Sequence, residues 1–156
     1  MINKAISQRL ISHINLNPMV LNVVKEAHTQ YLHYIKYSYS IVEAYYRKKA
    51  RVRGKVAYAI IYHRLEFQEW QDGYLILHLS SGLRTDKEAR DIFKSALGTQ
   101  CLRCIAVVAT GKAKVRLLEF LAEVQQQCIP IRVFGNREDA MSWVLEQRFA
   151  IPFSLN

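Results

Sequence analysis

Tyr74-Leu-Ile-Leu-His-Leu-Ser-Ser-Gly-Leu-Arg-Thr-Asp-Lys-Glu-Ala-Arg90 is the stretch on which the fold class turns. Tyr74 to Leu79 is nearly continuous apolar sequence closed by Ser80-Ser81-Gly82, which predicts a short buried strand. Thr85 and Glu88 then stand at capping-box spacing and open a helix, with Ala89, Ile92, Phe93, Ala96 and Leu97 inward and Gly98 as its stop. A strand that passes through a short turn into an amphipathic helix is half of a crossover unit.

The unit recurs downstream. Cys104-Ile-Ala-Val-Val-Ala109 predicts a strand and Thr110-Gly111 a turn. Residues 113–127 predict a helix with Val115, Leu118, Leu121 and Ala122 inward. Ile129-Pro-Ile-Arg-Val-Phe134 predicts a strand with its proline near the start, where a missing N–H costs least. Asn136 is a good N-cap for a helix over 137–147 that turns Ala140, Met141, Val144 and Leu145 to the core. Upstream, residues 55–71 carry Val56, Ala59, Ile60, His63, Phe67 and Trp70 at helical spacing, and Asp72-Gly73 ends that helix. Tyr31–Tyr37 and Ile41–Tyr46 predict a strand pair around Ser38-Tyr39-Ser40. Ile2, Ile6, Leu10 and Ile14 suggest a further helix near the N-terminus.

The expected architecture is therefore α/β. It has a central mixed sheet of four to six strands with parallel β-α-β crossovers and about four helices. A helical extension covers residues 1–30, the main domain 31–147, and an apolar tail, 148–156, packs on that domain. The length of 156 residues suits one such domain, and 51% hydrophobic with 22% charged residues excludes a disordered chain. No apolar run reaches the roughly 18 residues of a membrane span, and the N-terminus lacks the apolar core of a secretory signal. A cytoplasmic location is expected.

A net charge of +9 raises anionic partners. Arg47, Lys48, Lys49, Arg51, Arg53 and Lys55 fall within nine residues. If extended, Arg47, Lys49, Arg51, Arg53 and Lys55 would line one face as a row matched to phosphates, with nearby tyrosines for stacking. A solvated edge strand explains the same run without a ligand. Cys101 and Cys104 have C-x-x-C spacing, but Cys104 opens an apolar strand, so packed core thiols are favoured over zinc. The five histidines share no helical face. No metal and no cofactor is expected. Thr110-Gly111-Lys112 has the end of a phosphate loop without its earlier glycine or its Ser/Thr. Glu66, Glu69 and Asp72 read as a solvated face, and no Ser-His-Asp spacing suggests a hydrolase.

Leu77 to Arg90, Ile105-Ala-Val-Val108, Val115 to Leu121, Pro130 to Phe134 and Glu138-Asp-Ala-Met-Ser-Trp-Val144 together resemble the bacterial STAS-like family related to anti-sigma factor antagonists. The resemblance implies a non-enzymatic module for protein–protein regulation. Relatives of similar fold also bind lipid or other apolar ligands. The family carries a phosphorylated serine in Asp-Ser-Ser-Gly at the start of its partner-facing helix. Here Ser80 and Ser81 follow the strand directly, after Leu79 rather than Asp. The match at Lys87-Glu-Ala-Arg90 instead puts Thr85, Asp86 and Lys87 at that helix start, with Ser80 and Ser81 as the alternative switch. The expected partner is another protein. The apolar tail is compatible with a homodimer, and nucleic acid ranks below both.

Overall fold

Six strands form the central sheet of the computed structural model, which describes residues 20–122 and 129–150. They are β1 (Val23–His28), β2 (Leu32–Tyr37), β3 (Ile41–Tyr46), β5 (Gly73–His78), β7 (Leu102–Val108) and β8 (Ile131–Phe134), lying side by side in that order. β1, β2 and β3 run antiparallel, and β3, β5, β7 and β8 run parallel. Two short strands, β4 (Arg51–Val52) and β6 (Arg84–Thr85), pair separately. Between the parallel strands come α1 (Gly54–Phe67), then α2 (Lys87–Lys94) with α3 (Ala96–Thr99), then α4 (Gly111–Ala122). α5 (Arg137–Phe149) follows β8. The α/β class and the mixed sheet are as expected, and the Ser38–Ser40 turn joins β2 to β3.

Because successive strand residues face opposite sides, each parallel strand divides between two cores. Leu32, Tyr34, Val42, Ala44, Tyr46 and Leu75 pack with Ala57, Ile60, Ile61 and Leu65 of α1 and with Ala89 and Ile92 of α2. Ile41, Ile76, Cys104 and Ala106 pack on the other face with Ala140, Met141, Trp143 and Val144 of α5. Asn136 caps α5 by accepting the Asp139 amide at 2.8 Å.

Several expectations change. The segment read as a helical extension is, from Val23 to His28, the edge strand β1, and residues 1–19 lie outside the described residues. Its Lys25 and Glu26 interrupt the apolar alternation that marks a strand. α1 buries Ala57, Ile60, Ile61, Arg64 and Leu65, while Ala59 and His63 are exposed, so its inner stripe is rotated from the one expected. The capping box does not form. Asp86, not Thr85, accepts the Ala89 amide at 2.8 Å, while Thr85 belongs to β6. The Glu88 carboxylate instead lies against Gly54, whose missing side chain makes room for it at the otherwise uncapped start of α1. Ser95 breaks the helix expected to run to Gly98, accepting the Gly98 amide at the start of α3. Val115 and Leu118 of α4, expected inward, are 57% and 48% exposed. α5 reaches Phe149, whose ring meets Tyr39 edge-on at 5.4 Å, and the rest of the apolar tail from residue 151 lies outside the described residues.

The basic run does not form one row. Lys49 turns the chain in the left-handed region, β4 covers only Arg51 and Val52, and α1 starts at Gly54. All six of its cations are nonetheless exposed.

Candidate functional site

The two faces of the sheet differ in what they do with charge. On the α5 face, Glu43 of β3 is wholly buried. Arg137, in the first turn of α5, donates Nε to its Oε1 at 2.8 Å and a terminal nitrogen to its Oε2 at 2.9 Å. His78 Nε2 lies 2.6 Å from Oε1, and the Tyr37 hydroxyl donates to Oε2 at 3.0 Å. Burial would push this carboxyl up, but hydrogen bonds from His78, Arg137 and Tyr45, with the Arg137 charge, hold it at about 2. Tyr45 is pushed up to about 12 by burial and by Glu43. The fork of Arg137 on a carboxylate is a strong, directional pairing. This node is closed on itself: every strong donor has its acceptor.

A row of rings runs past the node, because consecutive strands register His28 with His33, His33 with Tyr45, and Tyr45 with His78. His28 stacks on His33 at 4.1 Å and Tyr45 on His78 at 4.0 Å.

The α1 face is different. A cavity of about 1360 Å³ opens between that face of the sheet, α1 to α3, and the first turns of α4. Leu75, Leu77, Ile105 and Val107 form its floor, with Tyr34 and Ile60 to one side. That volume exceeds the roughly 300–1,000 Å³ of ordinary small-molecule sites. Among the described residues the lining includes the cations Arg64, Arg84, Arg90, Lys112 and Arg116, and no carboxylate.

Arg64 matters most among them. It is only 5% exposed, and its guanidinium donates to Gln68 Oε1 at 2.5 Å and to the carbonyls of Gln100 and Gly98 at 3.0 and 3.3 Å. All three acceptors are neutral, and no carboxylate pairs with it among the described residues. Burial lowers its pKa to about 10. A buried cation without a counter-ion is costly unless an anion completes it.

The residues singled out in the sequence distribute as follows. Ser80, Ser81 and Thr85 line the cavity, Ser80 donating from its hydroxyl to the Arg47 carbonyl at 3.0 Å. Asp86 and Lys87 begin α2 on the exposed side. Arg47 and Lys49 lie against the Ser80–Gly82 turn, and Arg51 pairs in register with Arg84, so part of the basic run flanks the cavity wall. Lys48, Arg53 and Lys55 are exposed nearby along the chain without joining the cavity lining. Gly111 and Lys112 of the incomplete phosphate-loop pattern line the cavity at the start of α4. Cys101 packs with the α1-face core and Cys104 with the α5-face core, so the two thiols point apart, and burial pushes Cys104 up to about 12. Glu69 meets Lys25 and Lys36, and Asp72 meets Arg103, as solvated ion pairs. Neither Glu43 nor Arg64 was singled out in the sequence. A lone Glu within the strand run Ile41–Tyr46 was the available signal for the first.

The profile of a family described as a domain of unknown function, DUF7793, matches residues 35–148, and the chain belongs to that family. No curated protein matches the chain.

Proposed function

We propose that this DUF7793 domain is a non-enzymatic regulatory module of the cytoplasm that takes an amphipathic anion in the cavity of its α1 face. One observation carries the reading: among the described residues, Arg64, Arg84, Arg90, Lys112 and Arg116 and no carboxylate surround a largely apolar cavity. An apolar chain laid on Leu75, Leu77, Ile105 and Val107 gains roughly 25 cal/mol per Å² buried. An anionic head beside Arg64 supplies the counter-charge that no described residue gives it, a charged hydrogen bond contributing about 1.5–3 kcal/mol. The STAS-like resemblance agrees with a regulatory module, and with relatives that hold apolar ligands.

The protein partner fits the same picture. α4 places Lys112 and Arg116 on the cavity while Val115 and Leu118 face solvent. Ligand occupancy and the surface offered to a second protein are thereby joined in one helix, with Asp86 and Lys87 of α2 as the other candidate contact. The exposed cations at 47–55 favour a second reading, an anionic polymer such as nucleic acid. Their scatter over a turn, a two-residue strand and a helix start argues for the cavity first.

Competition against an environment-sensitive dye tests the reading with three twelve-carbon probes that differ only in head group. Dodecyl phosphate is expected to displace the dye at a concentration at least tenfold below dodecyl maltoside, and dodecyltrimethylammonium least well. Equal displacement by all three would contradict the proposal. Salt-steep binding of a short single strand, with no dodecyl phosphate binding, would favour the polymer instead.

A further inference from the structure

We infer that the β1–β2 hairpin carries a first-row transition-metal site made by Glu26, His28 and His33, independent of the cavity and on the opposite face of the sheet. Glu26 and His28 are two apart on β1 and so share a face, and antiparallel register sets His33 of β2 opposite His28. The side-chain ligand atoms of all three lie within 4.8 Å of one another. Glu26 Oε1 is 2.5 Å from His33 Nε2 and 3.7 Å from His28 Nε2.

An ion bound at the usual 2.0–2.2 Å holds tetrahedral ligands roughly 3.3 Å apart. The Glu26–His33 hydrogen bond must therefore open by somewhat under 1 Å, and His28 must close by less. One further adjustment is needed. His28 and His33 lie stacked within 7° of parallel, and ring lone pairs lie in the ring plane, so one ring must swing out of the stack. His28 is free to do so, its side chain being 61% exposed at the sheet edge beyond the cover of α5. His33 is held instead, 29% exposed and backed by Tyr45 at 6.0 Å. Two imidazoles and one carboxylate suit zinc, cobalt or nickel, whereas magnesium and calcium prefer all-oxygen sets. Three protein ligands on an exposed edge leave a coordination position open to solvent.

Reading histidines along helix faces hides this site, because a hairpin rather than a helix brings the two rings together. The negative expectation for metal also rested on Cys101 and Cys104, which take no part.

Cobalt titration of the untagged full chain, followed by visible absorption and by metal analysis after dialysis, tests the inference. One Co²⁺ per chain is expected, with a nitrogen- and oxygen-ligated spectrum lacking a thiolate charge-transfer band. Glu26→Gln and His28→Ala should each weaken binding at least tenfold at unchanged Tm, since both side chains are exposed. No stoichiometric cobalt, a thiolate band, or equal affinity in both variants would overturn it.

Discussion

The two faces of one sheet carry buried charge in opposite conditions. On the α5 face Glu43 has Arg137, His78 and Tyr37 around it, and its account of donors and acceptors is complete within the chain. On the α1 face Arg64 is nearly as buried and has only neutral acceptors among the described residues, on the wall of a cavity that holds further cations. A satisfied buried charge is structural, because everything it needs is already present. An unsatisfied one beside an open volume points outward, to something the described residues do not supply.

Breaking the closed face should have the largest effect on stability. Glu43→Gln removes the carboxylate from under the Arg137 fork, and a loss of about 3 kcal/mol in denaturant unfolding is expected. A loss below about 1 kcal/mol would mean that the node is not holding β3 to α5. Acid probes the same group. Its folded pKa of about 2 lies below the ordinary 4.5, so its stabilisation is complete above pH 4.5 and disappears as pH falls toward 2. The wild type should lose on the order of 3 kcal/mol over that window relative to Glu43→Gln, whose curve lacks this limb. Parallel acid limbs in the two proteins would count against the depressed carboxyl.

Smaller changes sharpen the contrast. Asp86→Ala should cost about 1 kcal/mol through the lost cap on α2, read as a shift in urea midpoint. Arg64→Met exchanges three hydrogen bonds to neutral acceptors for relief of a desolvated charge, so stability should stay within about 1 kcal/mol of wild type. Ser81→Ala, in an exposed turn, should change the midpoint by less than about 0.5 kcal/mol.

Much of the α/β frame was legible because its strands and helices carry clean periodicity: Tyr74–Leu79, Cys104–Ala109 and the Asn136-capped helix lie close to where the pattern placed them. The misses have local causes, in charged or small residues placed where the apolar pattern does not expect them. Arg64 faces in, so the stripe of α1 appeared rotated. Lys25 and Glu26 made β1 look unlike a strand, and Gly54 ended the basic run in a helix start. The cavity was not legible at all, since its walls come from separate elements spanning residues 32 to 131 and exist only once α4 stands away from the sheet. Val115 and Leu118 are exposed because α4 turns Lys112, Arg116 and Leu117 to the cavity instead, and their spacing alone reads as a core face.

Calorimetric titration of dodecyl phosphate into the wild type and into Arg64→Met decides whether the buried cation of the α1 face recruits an anion. Saturable one-to-one binding to the wild type is expected, and at least tenfold weaker binding to Arg64→Met, with folding of the variant intact. Equal affinity in the two proteins, or no binding to the wild type, would contradict it.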